Sequence, residues 1–257
     1  MKLTFLGTGT SFGVPVVGCR CDTCTSKDPR DRRTRNAALV RLDGGTVLVD
    51  TPPELRLQLL AADVEALDAV WITHGHADHI HGIDDLRVFT FRGRSMPTYV
   101  SDEHIQELHD RFPYIFDPAV QPAEGTTKPR VELRSFRSGE PVQIAGAAFM
   151  PVAVPHGATT VYGFRVGELG YVTDGKCLPP EAVRALEGVR VLVLNALWFG
   201  QPHPTHFNVE EAVEAARAVG ARQTYLIHLT HRVSHKELER RLPPGVAPAY
   251  DGLTVEV

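Results

Sequence analysis

Residues 73 to 82 read Thr73-His74-Gly75-His76-Ala77-Asp78-His79-Ile80-His81-Gly82, four histidines and an aspartate directly after the apolar run Ala69-Val70-Trp71-Ile72. The chain has 12 histidines, so a third of them lie on one turn. Packing does not call for that density. Neutral imidazole and carboxylate are the usual ligands of zinc and of harder divalent ions, and functional groups sit on loops carried by rigid elements. The stretch reads as a metal site. His74 and His76 are two apart in extended backbone, so they point the same way and can grip one ion. Asp78 and His79 are adjacent and reach a different point, which predicts two ions rather than one. The spacing H-x-H-x-D-H is also not the helical H-E-x-x-H of zinc proteases, whose histidines lie one turn apart on one face.

At 257 residues the chain is long enough to bury a substantial core. A net charge of −4 argues against broad electrostatic capture of nucleic acid, which needs a basic face. The run Arg30-Asp31-Arg32-Arg33-Thr34-Arg35 reads as a local basic patch or as a solvated surface turn. No window approaches the ~18 to 20 apolar residues of a membrane span, and Met1 to Leu6 leads into a Gly-rich turn rather than a signal-peptide core. The expectation is a cytoplasmic protein without a membrane partner. Three thiols within six residues, Cys19, Cys21 and Cys24, make a poor disulfide framework and a good zinc half-site. Structural zinc takes four ligands, so Cys177 or a histidine is wanted as the fourth.

Along the chain, strands are expected at 2–6, 37–41, 46–50, 67–72 and 96–100, with helices at 51–62 (apolar stripe Leu55, Leu59, Leu60), around 83–87 and at 102–111. Gly7-Thr8-Gly9-Thr10-Ser11-Phe12-Gly13 lacks the ending of a phosphate-binding loop and reads as backbone passing close under the site. The stretch 112–130, rich in Pro and Gly, reads as a surface loop or a lid over the site. Strands follow at 131–136, 142–144, 147–154, 160–166 and 170–173. The remainder gives a helix at 179–186, a buried strand at 189–195, a helix at 209–219 capped by Asn208, a strand at 223–227, a helix from Ser234 to Arg241 and a strand at 253–257. No linker or composition break interrupts this order, which predicts one domain spanning 1–257 with a zinc-binding loop at about 18–25. Both halves run strands then helices, as a four-layer α/β sandwich (αββα) requires. Three further ionisable residues each end an apolar strand: His156, Asp174 and His228. A lone buried group there would be costly without a partner.

H-x-H-x-D-H followed by Gly resembles the signature of the metallo-β-lactamase fold, and the resemblance covers the chain from Phe5 through His231. It implies one ion on His74, His76 and His156, another on Asp78, His79 and His228, and Asp174 bridging both. Two divalent ions, zinc or manganese, would share a hydroxide formed from water. The C-x-C-x-x-C loop with a histidine three beyond His228 is similar to the PhnP subgroup, phosphodiesterases acting on cyclic ribose phosphates. That similarity implies a structural zinc on Cys19, Cys21, Cys24 and His231. The stretch His203-Pro204-Thr205-His206-Phe207-Asn208 resembles the histidine motif of phosphodiesterases and tRNA-maturation endonucleases, implying that His206, with His203 second, protonates the leaving oxygen. Asp78 and His206 are thus the expected catalytic residues. Asn195 stands where the tRNA endonucleases carry a Glu, and no Gly- and Lys-rich arm is apparent. The expected function is a binuclear metal-dependent phosphodiesterase acting on a small, cyclic or linear phosphodiester. The alternatives are a tRNA 3′-processing endonuclease, a thioester or lactam hydrolase, and a non-catalytic carrier of cofactor biosynthesis. A homodimer is compatible with the sequence, and His81 is not counted as a ligand.

Overall fold

Long apolar runs alternate with turns throughout the chain, and each run becomes a strand whose polar ends collect at one edge. The computed structural model describes residues 1–257, the side chain of Arg92 apart. The strands are β1 (Lys2–Gly7), β2 (Ala37–Leu42), β3 (Gly45–Val49), β4 (Ala69–Trp71), β5 (Met96–Ser101), β6 (Val131–Phe136), β7 (Val142–Ile144), β8 (Ala147–His156), β9 (Thr159–Val166), β10 (Leu169–Val172), β11 (Val191–Asn195), β12 (Gln223–Ile227), β13 (Val246–Pro248) and β14 (Thr254–Glu256). The α-helices are α1 (Leu55–Ala61), α2 (Ala77–Ile80), α3 (Ile105–Arg111), α4 (Pro113–Phe116), α5 (Pro180–Leu186), α6 (Val209–Val219) and α7 (His235–Arg241).

Two seven-stranded mixed sheets form, in the orders β14-β1-β2-β3-β4-β5-β6 and β13-β12-β11-β10-β9-β8-β7. Their inner faces share one core, with Phe5, Val40, Val49 and Trp71 of the first sheet packed with Phe149, Phe164, Tyr171 and Val193 of the second. Trp71 stacks on Phe136 at 4.3 Å between centroids and donates its indole N–H to the Tyr162 carbonyl at 2.9 Å. The outer faces are covered by helices, α1 and α3 contributing Leu55, Leu59 and Leu108 on one side, α5 and α6 contributing Leu186, Ala212 and Ala216 on the other. This is the αββα sandwich expected from the alternation of elements. No helix among the described residues is long and apolar enough to cross a membrane.

Several local readings change. On α1 the third buried residue is Gln58, not Leu60, because its amide donates to Thr34 Oγ1 and to the Arg35 carbonyl, while Leu60 faces outward. The charge run at 30–35 is neither a basic patch nor a solvated turn. Arg33 is 1 % exposed and donates to the Thr230 and Val233 carbonyls and to Asp31, and Arg30 is paired with Asp28 and Glu239. Within 112–130, residues Pro113–Phe116 form the short helix α4, with Phe112 and Ile115 buried in the first-sheet cluster. β13 lies among prolines and escapes a propensity reading. It can still pair because Pro248 closes the sheet edge, where a missing N–H is tolerated.

Candidate active site

Each candidate ligand sits where an apolar strand meets its turn at one rim of the sandwich. His74 and His76 follow β4, His156 ends β8, Asp174 follows β10 and His228 follows β12. Asp78 and His79 lie on α2, the four-residue helix that starts just past His76. Three residues at these strand ends, Asp50 (φ 62), Asp174 (φ 61) and His228 (φ 56), adopt the left-handed region although none is glycine. Such conformations are strained in non-glycine residues, and they cluster where a side chain has to be aimed. A Cβ on Gly75, between the first two histidines, would meet only the carboxylate end of the Glu107 side chain, which can swing away, so the glycine leaves room for that carboxylate without being strictly required.

The side chains converge. His74 Nε2 lies 2.9 Å from His76 Nδ1, and His74, His76 and His156 can offer donor atoms all within 4.8 Å of one another. Asp78, His79, Asp174 and His228 form a second such group. Asp174 Oδ2 lies between the two, 3.8 Å from His74 Nε2, 3.2 Å from His79 Nε2 and 3.4 Å from His228 Nε2. Donor atoms on one tetrahedral ion with ~2.05 Å bonds sit about 3.3 Å apart, so these separations suit a shared ion rather than direct hydrogen bonds. His79 Nε2 and both ring nitrogens of His228 are buried without hydrogen-bond partners, a costly state that a cation relieves. Three carboxylates, Asp50, Asp78 and Asp174, are gathered around imidazoles in a buried place, and the excess negative charge also calls for cations.

The electrostatics agree. Burial, with the neighbouring His79, holds His74 well below the usual imidazole range, which keeps it in the neutral, ligating form. His79 goes the other way: burial opposes its charge, but Asp174, Asp50 and Asp78 raise it well above the ordinary value. Asp174 is likewise penalised by burial yet is held well below the carboxylate range by His228 and His79.

Outer hydrogen bonds fix the rings. The Asp50 carboxylate accepts the Thr73 N–H at 2.8 Å, the Thr73 hydroxyl at 2.9 Å and His79 Nδ1 at 2.7 Å. Thr73 Oγ1 in turn lies 3.0 Å from His74 Nδ1. His156 Nδ1 donates to the Thr205 carbonyl at 3.0 Å, and the Thr173 hydroxyl donates to Asp174 Oδ1 at 2.6 Å. His74, His79 and His156 are thereby left with Nε2 for the ion, while His76 turns Nδ1 toward His74. Sequence reasoning placed Asp50 only as the end of a strand. The signal that found His156, Asp174 and His228, a single ionisable residue closing an apolar run, is also present in Val47-Leu48-Val49-Asp50.

A cleft of about 480 Å³ opens over these residues, lined by Ser11, His76, Asp78, His156, Gly157, Ala158, Thr159, Asp174, Thr205, His206 and His228. Ser11 brings the Gly-rich turn to the cleft, as expected, through Leu229 N–H bonding to the Thr8 carbonyl. His206 Nε2 is 3.5 Å from Asp174 Oδ2, and burial lowers its pKa to about 4. His203 stacks edge-on against Trp198 and His206 and lies outside the cleft lining. His81 is the C-cap of α2 and packs on Phe112. None of the residues 112–130 is among those lining the cleft. On the far side of the Gly-rich loop, Cys19, Cys21, Cys24 and His231 offer donor atoms all within 4.8 Å, with His231 Nδ1 3.3 Å from Cys19 Sγ and 3.4 Å from Cys21 Sγ. The fourth member is His231, and Cys177 is exposed elsewhere.

Residues 45–229 match the model of the Beta-lactamase superfamily domain, well over half of the chain. The chain belongs to the β-lactamase superfamily. Within that superfamily it is PhnP-like: the crystal structure of a new diphosphatase from the PhnP family superposes with a TM-score of 0.91 and 40 % identity, covering 99 % of this chain and 96 % of that one. An octanoyltransferase of Porphyromonas gingivalis (strain ATCC BAA-308 / W83) is 36 % identical over 98 % of this chain but 51 % of its own length, so the chain spans about half of that relative. A ribonuclease Z of Pyrobaculum neutrophilum is 28 % identical over 96 % of this chain and 93 % of its own length. The superfamily's members are metal-dependent hydrolases, and the His and Asp clusters described above are groups that could hold divalent ions.

Proposed function

We propose that this superfamily member is a two-metal hydrolase of small phosphodiesters, cyclic ribose phosphates among them, with a third, structural zinc on Cys19, Cys21, Cys24 and His231. The observation that carries the reading is the single carboxylate oxygen, Asp174 Oδ2, lying between two groups of donors. When bound, a pair of divalent ions supplies a nucleophile from water at neutral pH and neutralises charge on the attacking and leaving oxygens. The protein's own part is positional. Asp50, Thr73 and Thr205 orient the histidines, and Asp78 and His228 close the second group. His206 presents Nε2 at the cleft wall, beside the place where a leaving oxygen would sit. Its lowered pKa makes it neutral near pH 7, and an approaching phosphate anion opposes that shift.

Among the described residues the cleft lining has no lysine or arginine. A singly charged phosphodiester suits such a lining better than a multiply charged monoester. The ribonuclease Z relative supports cleavage at a phosphodiester, while Asn195 and the absence of a basic arm disfavour tRNA itself. A second reading, hydrolysis of a diphosphate bond, draws on the 40 % identity to the PhnP-family diphosphatase.

A panel of bis(p-nitrophenyl) phosphate, a 2′,3′-cyclic nucleotide, a nucleoside diphosphate ester and an octanoyl thioester, assayed with zinc and with manganese, tests this. Turnover of the first two is expected. Preference for the diphosphate ester would favour the second reading, and turnover of the thioester alone would overturn both in favour of acyl chemistry.

A further inference from the structure

The cleft lining is polar or small: histidines, aspartates, Ser11, Thr159, Thr205, Gly157 and Ala158. It can hold a phosphate and ions, and ring and backbone carbons line much of it, but it carries no large aliphatic or phenyl side chain for the group esterified to that phosphate. Of the large apolar side chains next in sequence to a lining residue, Phe207, Ile227 and Leu229 are buried, whereas Phe12, directly after Ser11 of the lining, is 73 % exposed. An exposed phenyl ring gains nothing for folding where it stands.

The turn that carries it is firmly held. Gly13 N–H bonds to the Thr10 carbonyl at 2.8 Å, closing the turn whose two central residues are Ser11 and Phe12. Arg35 Nε donates to the Ser11 carbonyl at 2.8 Å, and Val14 and Arg33 exchange both backbone hydrogen bonds at 2.8 Å. Arg35 is itself paired with Glu54. An exposed ring on a rigid turn, one residue from the cleft lining, has the attributes of a stacking platform, because little order has to be gained on binding.

Resting on the phosphodiester reading above, we propose that Phe12 is a specificity-determining residue, stacking on a planar ring, aryl or nucleobase, of the ester arm that stays outside the ions. The ring touches substrate remote from the reacting atoms, so it acts chiefly on binding.

The experiment compares two substrates with the same leaving group, thymidine 5′-(p-nitrophenyl phosphate) and ethyl p-nitrophenyl phosphate, in the wild type, Phe12→Ala and Phe12→Trp. Phe12→Ala is expected to lower the thymidine-to-ethyl ratio of kcat/KM about tenfold, through KM rather than kcat, with Phe12→Trp restoring it. An unchanged ratio overturns the proposal. So does a dimer in the wild type that Phe12→Ala converts to monomer in sedimentation, which would assign the ring to a subunit interface. If neither substrate turns over with zinc or manganese, the phosphodiester reading fails separately. Calorimetric affinity for thymidine 5′-monophosphate against deoxyribose 5-phosphate then decides on Phe12: the thymidine preference should vanish in Phe12→Ala, and its persistence overturns the assignment.

Discussion

Asp50→Asn exchanges one oxygen of a buried carboxylate for an amino group and should cost both ions of the candidate site. In the native network Asp50 Oδ1 takes the Thr73 N–H, while Oδ2 takes His79 Nδ1–H at 2.7 Å and the Thr73 hydroxyl at 2.9 Å. With the asparagine oxygen on the Thr73 amide, the new NH2 faces His79 Nδ1, and two donors cannot bond. His79 must then carry its proton on Nε2, the atom that points at Asp174. The same NH2 donates to Thr73 Oγ1, and that hydroxyl, no longer accepted by Oδ2, can turn from the asparagine oxygen at 3.0 Å to His74 Nδ1, also at 3.0 Å, which moves the second proton to His74 Nε2. One substitution thus blocks a ligand atom in each group.

Loss of such an outer partner costs about 10- to 100-fold in metal affinity, so the doubly loaded form should fall by about 10²- to 10⁴-fold. The fold should suffer less, by about 1 to 3 kcal/mol for the mispaired donors, or some 2–10 °C in Tm. Competition titration of zinc against a chromophoric chelator, with thermal unfolding of the chelator-treated protein, separates the two effects. Thr73→Val should weaken only the ion at His74, His76 and His156. Asp50→Asn binding both ions within twofold of the wild type would refute the relay.

Cys21→Ser and His231→Ala should each remove about one zinc per chain by elemental analysis, and unchanged stoichiometry would exclude the structural site. Asp78→Ala should abolish turnover of bis(p-nitrophenyl) phosphate while leaving the near-ultraviolet circular dichroism unchanged; full activity would break the assignment. Trp71→Ala should cost about 3–5 kcal/mol in urea unfolding, because it vacates the space between Phe136, Phe149 and Phe164 and orphans the Tyr162 carbonyl. Asp251 accepts four hydrogen bonds from Thr8 and Thr34, yet burial pushes it up to about 6. Between its ordinary value of about 4 and pH 6 the folded chain therefore binds more protons than the unfolded one. Stability should fall as pH rises through that window, by up to about 3 kcal/mol, and level off above pH 7. Urea unfolding between pH 4 and 7 should show this decline in the wild type and not in Asp251→Asn.

The parts of this architecture that could be read from sequence are those where a local pattern and its tertiary use coincide. A buried strand must be apolar along its length, so the first ionisable residue after it is conspicuous, and His156, Asp174 and His228 declare themselves in that way. Asp50 obeys the same rule but is followed by Thr51-Pro52-Pro53-Glu54, a helix-start pattern that supplies a sufficient local reason for an aspartate. Nothing local shows that its carboxylate reaches Thr73 and His79, more than twenty residues on. Arg33 is the same problem with the sign reversed. Among Arg30, Arg32 and Arg35 it looks like surface charge, and its burial follows from carbonyls at Thr230 and Val233, about two hundred residues away. Those carbonyls flank His231, so Arg33 holds in place the segment that offers the fourth donor to the cysteine loop. Gln58 displaced Leu60 from the core for a related reason, since the backbone carbonyl of Arg35 required a donor that an apolar stripe cannot supply. Hydrophobic period reports what water expels, whereas these three residues are placed by hydrogen-bond needs arising elsewhere in the fold. Residues that orient ligands belong mostly to this second kind, which is why the ligands of such a site are more legible than their supports.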